Sequence, residues 1–142
     1  MIHARSLLSL VILVFSATAY SDTNSDVDLK KIMQDLQSDA ALIVEGLLVG
    51  DFESIDDAAS RIADHPRIPP SQVALVAAEL GSEMPAFKQL DTLVHDLAVS
   101  ISAAAREADA NSVAASYKKM LDGCLKCHAS YRERVARVLN PE

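Results

Sequence analysis

This 142-residue chain predicts an all-α fold, an antiparallel four-helix bundle with one longer connection between its second and third helices. Three observations carry it. Four stretches repeat apolar residues at three- and four-residue steps, the period of a helix with one face turned to a core. No stretch alternates apolar and polar residues as a half-buried strand does. Three prolines, Pro66, Pro69 and Pro70, gather in one region that ends at Gly81 and Ser82, and they part the helices two and two.

The first helix is expected from about Asp26 to Leu48. Leu29, Ile32, Met33, Leu36, Ala40, Ile43, Val44 and Leu47 share its apolar face against Lys30, Lys31, Asp35 and Glu45, and Gly50 can close its end. The second is short. It starts at Ser54, which with Asp57 resembles a capping box, and Pro66 stops it after His65. The proline-rich connection carries a brief helix near Ser71 to Leu80. The third helix runs from about Glu83 to Ala108, with Pro85 in its first turn and Phe87, Leu90, Val94, Leu97 and Ile101 along its stripe. The fourth begins near Asn111, and its stripe is Val113, Tyr117, Met120 or Leu121, Cys124, Cys127 with His128, Tyr131, Val135 and Val138.

The amino terminus reads as a secretory signal at residues 1–19: Arg5, an apolar run from Leu7 to Phe15, then Ala17-Thr18-Ala19 as the cleavage pattern. That run is short for a bilayer and no later stretch is long and apolar enough to span one, so residues 20–142 are expected as one exported domain without stable membrane insertion. The net charge is −7, and losing Arg5 makes it −8, which argues against nucleic acid or anionic lipid as a partner. The charge is uneven. Eleven acids between Asp22 and Asp64 face only Lys30, Lys31 and Arg61, whereas Lys118, Lys119, Lys126, Arg132, Arg134 and Arg137 outnumber Asp122 and Glu133 on the fourth helix. Trp is absent, so Ala, Leu, Ile and Val must supply most of the core.

Cys124-Leu125-Lys126-Cys127-His128 is a C-x-x-C-H sequence, and these are the only two cysteines. Two thiols on neighbouring turns suit addition across the two vinyl groups of one porphyrin, and the adjacent imidazole then lies under the iron. One covalent haem c is therefore expected, attached through Cys124 and Cys127 with His128 as proximal ligand. Zinc wants four protein ligands, and no second C-x-x-C or H-x-x-H is present. A disulfide remains the alternative in an exported chain, but it leaves His128 without a role and lacks the βαβ context of the thioredoxin type. Haem attachment also agrees with export and points to the periplasm.

A C-x-x-C-H on the last helix of a four-helix pattern resembles the class II c-type cytochromes, the cytochrome c-prime family and its methionine-ligated relatives. Cys124 to His128 followed by Tyr131-Arg132 is similar to that family's C-x-x-C-H-x-x-[YF]-[RK] ending, and Gly50-Asp51-Phe52 before an alanine-rich helix is a weaker likeness. The resemblance implies thioether bonds at Cys124 and Cys127, proximal ligation by His128, a basic contact to the haem propionates from Arg132, and a distal face supplied by the first helix. It also implies that dimerisation of two copies through the first two helices is an option for this chain.

Two branches of that family differ at the sixth iron position. A methionine there gives low-spin iron suited to electron transfer, and an open site binds small gases. Met33 is the only methionine of the first helix and lies on its apolar face, so it is the expected distal ligand. Met84 and Met120 are expected in the core, His95 at the surface and His65 as a helix cap. With no paired carboxylates, nucleophile triad or glycine-rich phosphate loop, an enzyme is not expected. The expectation is a periplasmic electron carrier that exchanges electrons with redox partner proteins; five-coordinate binding of nitric oxide or carbon monoxide is the alternative, and a non-haem helical protein with a disulfide the second.

Overall fold

The computed structural model describes residues 28–140, and the expected signal segment lies outside them. Every element among the described residues is helical, in the order α1 (Leu29–Val49), α2 (Phe52–Ala63), α3 (Pro70–Leu80), a 3-10 turn (Gly81–Glu83), α4 (Met84–Arg106) and α5 (Ala110–Leu139). No helix among them is long and apolar enough to cross a membrane.

The ends of these helices follow from their capping residues. Asp28 caps α1 by accepting from the Lys31 amide, and Gly50 ends it at φ 76°, a left-handed conformation that costs glycine nothing. The start of α2 departs from expectation. Asp51, not Ser54, is its N-cap: Asp51 accepts from the Ser54 amide at 3.1 Å and from the Ser54 hydroxyl at 2.7 Å, because a carboxylate three residues before an unpaired amide satisfies it better than a residue already inside the turn. The end of α2 also differs, since the helix stops at Ala63 and His65 caps nothing. Its Nδ1 meets the Pro66 carbonyl at 2.8 Å, and its Nε2 lies 3.8 Å from Asp91. Asp109 caps α5 through the amides of Asn111 and Ser112, both at 3.1 Å.

Around the bundle, α1 packs on α2, α2 on α4, and α4 along α5, while α3 lies against α5. The circuit is not closed to the same degree on its fourth side, where α1 and α5 meet sparsely. Gly46 makes the α1–α2 approach close: a β-carbon there would stand 2.6 Å from Ile55 Cγ1 and 2.8 Å from the Asp51 carbonyl oxygen.

Apolar burial divides into two clusters. One, at the end where α1 turns into α2, gathers Ile43, Ile55, Ala58, Ala59, Ile62, Ala98, Ile101, Ala105, Val113 and Met120. The other joins Leu29 of α1, Val76 and Leu80 of α3, and Tyr131 and Val135 of α5, with Phe87, Leu90 and Cys127 packed against it. Phe87 and Tyr131 meet edge to face at 5.5 Å. Met120 is buried and Met84 packs against the second cluster, as core methionines do.

Polar ties that have no local sequence signal hold the helices in place. Arg61 Nε donates to Asp39 at 2.8 Å between α2 and α1. Asp56 of α2 accepts from Ser102 and, at 2.8 Å, from Arg106 Nε, both on α4. Arg134 of α5 reaches Glu79 at 3.1 Å and Glu83 at 2.8 Å, so one member of the expected basic patch is a structural tie between α5 and the α3 region.

Candidate functional site

Cys124 lies about four turns into α5, inside a helix that no proline interrupts, so the two cysteines and His128 stand on consecutive turns of one rigid element. Both cysteines are half-buried free thiols. Cys127 packs against the second cluster beside Phe87 and Leu90, and Gly123 backs onto Val94 and Leu93, which lie 3.4 and 3.5 Å from where a β-carbon would stand. The Gly123 and Cys127 side of α5 therefore belongs to α4. Helical periodicity puts Tyr117, Leu121, Cys124 and His128 on the adjoining side, turned away from α4.

α1 shows the mirror arrangement. Asp39, Ile43 and Gly46 belong to its α2 side. Met33, Ala40 and Val44, at three- and four-residue steps, lie on the flank away from α2. In a circuit of α1, α2, α4 and α5, those two flanks border the same sparsely packed side. The clusters order the two helices across it. Ile43 shares a cluster with Val113 and Met120, and Leu29 shares one with Tyr131 and Val135, so α1 and α5 run antiparallel and Met33 lies in the half of α1 that goes with the second half of α5.

Neither cluster includes α1 residues between Leu29 and Leu36 or α5 residues between Met120 and Cys127, although Ile32 and Gly123 in those intervals are buried. Large apolar side chains on these stretches are exposed: Met33 at 37%, Leu121 at 44% and Leu125 at 58%. Two expectations are corrected here. His128 is exposed rather than sharing the buried face with both thiols, since one residue beyond Cys127 turns it about 100° around the helix. Met33 stands at the edge of the apolar face and belongs to neither cluster, although Ile32 beside it is buried. The α5 stripe takes Met120 and leaves Leu121 outside.

Burial pushes the Cys124 thiol above its ordinary pKa. Cys127 is raised by burial first, then by negative charge at Cys124 and at Asp91 of α4. Tyr117 is raised by burial and by a charged Cys124. Reactive C-x-x-C pairs sit at helix N-termini, where the dipole lowers the thiol pKa. This pair sits mid-helix with the shift in the opposite direction, which does not fit a thiol–disulfide exchange site.

Among the described residues no three His, Cys, Asp or Glu side chains are grouped to hold a bare metal ion, so a zinc site is not built from them. A haem iron makes no such demand, because the porphyrin occupies four positions and the protein supplies one or two. The donor set fits: paired thiols one turn apart, an imidazole on the residue that follows the second thiol, and a thioether at the edge of the apolar face of α1. Arg132, one turn past His128, is exposed and makes no ion pair among the described residues.

A groove of about 430 Å³ lies elsewhere, between α1 and α2, lined by Leu36, Asp39, Arg61, Asp64 and His65, with none of the cysteine-bearing helix in it. His95 is half-exposed on α4, paired with its neighbour Asp96. Asp91, Leu90 and Phe87 are the residues beside Cys127 that local sequence did not flag; they are more than thirty positions away from it and only the packing of α4 on α5 brings them near. No protein-family model, curated protein or solved structure matches the chain.

Proposed function

We propose that the chain is a periplasmic c-type cytochrome, with one haem c attached covalently and electrons carried to and from redox partner proteins. The observation that carries this reading is the C-x-x-C-H sequence on α5, whose two thiols are half-buried, with Cys124 on the side of the helix that borders the sparsely packed approach to α1. Cys124 and Cys127 anchor the group from one helix face, His128 supplies the proximal nitrogen, and Met33 supplies the distal sulfur from the facing helix. Arg132 offers its guanidinium to a propionate. When bound, the haem iron exchanges one electron between its ferrous and ferric states, and a thioether ligand favours the ferrous one.

Exposure of Met33 favours a second reading, in which the sixth position stays open and the protein binds nitric oxide or carbon monoxide. One preparation separates the readings. Protein matured in a haem-competent periplasm is expected to exceed the apoprotein mass by one haem, to show low-spin ferrous bands and to bind carbon monoxide weakly. Met33→Ala then becomes high-spin and binds it rapidly. A wild type that is already high-spin and takes up carbon monoxide freely replaces electron transfer by gas binding; a product without added mass overturns both.

A further inference from the structure

Cations without an ion pair among the described residues concentrate on α5, with only Lys30, Arg67 and Lys88 outside it. Lys31, Arg61, Arg106 and Arg134 each pair with a carboxylate. Lys118, Lys119, Lys126, Arg132 and Arg137 are exposed on α5 and make no ion pair among the described residues. Lys118, Leu125 and Arg132 recur at seven-residue spacing, just short of two turns, so they form one ridge along the outer face of α5, with Lys119 and Lys126 on the ridge beside it. Leu125 is the most exposed large apolar residue of that helix, and it stands between two cations at the level of Cys124. An apolar centre rimmed by charge is the anatomy of a protein interface.

We infer that this ridge is the docking surface for a redox protein with an acidic rim, an inference that rests on the proposed function. The rest of the molecule gives it direction. The net charge is −7 and the α1–α2 segment is rich in acids, so an acidic partner meets like charge over much of the surface and approaches with α5, where five exposed cations gather, leading. The same asymmetry disfavours an anionic bilayer, whose wide plane would meet Asp122, Glu133 and the acidic helices as well as the ridge.

The experiment uses haem-loaded protein of verified mass, reduced, and follows one-electron oxidation by hexacyanoferrate(III), which becomes hexacyanoferrate(II). Although both reactants are anionic overall, the rate is expected to fall about tenfold as ionic strength rises from about 0.01 to about 0.5 M. Lys118→Glu with Lys126→Glu lowers the low-salt rate about tenfold, while Arg67→Glu with Lys88→Glu, the same change in net charge on other elements, alters it less than about twofold. With a fully reduced acidic flavodoxin as macromolecular electron donor to the ferric protein, each flavin giving one electron to one haem iron, Leu125→Gln slows the reaction several-fold and leaves the hexacyanoferrate rate unchanged. A rate that rises with ionic strength, or equal effects of the two charge-reversed pairs, overturns the docking surface while leaving the cytochrome reading intact. So does binding to phosphatidylserine vesicles that the α5 lysine pair abolishes, which assigns the ridge to lipid. Absence of the haem mass overturns both inferences together.

Discussion

The two ends of the bundle use the same helices differently. Where α1 turns into α2, four helices converge on isoleucines and alanines with no exposed surface, Gly46 admits Ile55 against its backbone, and Asp56 ties α2 to α4. Toward the other end the short α3 takes part, Phe87 and Tyr131 meet edge to face, and Leu121 and Leu125 remain in contact with solvent near two thiols. The first end is packed by interlocking aliphatic side chains, and the second shares its core with an aromatic pair and a half-buried thiol, so the contrast teaches that one bundle can close its two ends with different side-chain chemistry.

The largest test of that contrast is truncation in the aliphatic end. Ile55→Ala is expected to cost about 2–5 kcal/mol, read as a lower denaturation midpoint, because Ile55 is fully buried and its neighbours are helix backbone that cannot collapse inward. Gly46→Ala follows, at about 1–3 kcal/mol, since the new methyl group meets the Asp51 carbonyl as well as the movable Ile55. In apoprotein Met33→Ala is expected to cost less than about 1 kcal/mol, since a side chain exposed to that degree forfeits little burial. A cost as large as that of Ile55→Ala would show that Met33 is packed in the core after all.

Acid sharpens the comparison from another side. The Arg106 guanidinium and the Ser102 hydroxyl hold the Asp56 carboxyl below the usual carboxylate range. A carboxylate with a depressed folded pKa adds stability above its unfolded value, about pH 4, and loses it as pH falls through the folded one. Asp56→Asn is expected to lower stability at pH 7 by about 1 kcal/mol or less, and the gap from wild type should close at low pH. The smallest effect is at the thiols. Burial raises both, so in folded apoprotein their alkylation should lag that of the unfolded chain at pH 8 and accelerate only above the ordinary thiol pKa of about 8.5. Rapid alkylation at pH 7 would make the pair an activated one and revive the disulfide alternative.

Helix existence and the brief helix in the connection were legible because apolar periodicity and proline act within a few residues. The observed α3 and α4 begin within a residue of the expected starts, at Pro70 and Met84. The cap of α2 was misread because Ser54 and Asp51 both suit an N-cap, and the choice depends on which amides the first turn leaves unpaired. Burial of Asp39 and the engagement of Arg134 by Glu79 and Glu83 left no local trace, since their partners come from other helices.

By itself the sequence determined the helical period, the prolines that part the bundle, and the cysteine–histidine spacing, all properties of neighbours along the chain. Only the tertiary structure decided that Cys127 packs beside Phe87 and Leu90, that Met33 and His128 keep their exposure, and that five α5 cations stay unpaired among the described residues while Arg134 does not. Those outcomes depend on helix register and on which flank faces a neighbour, and a rotation of part of a turn changes them without altering any local pattern.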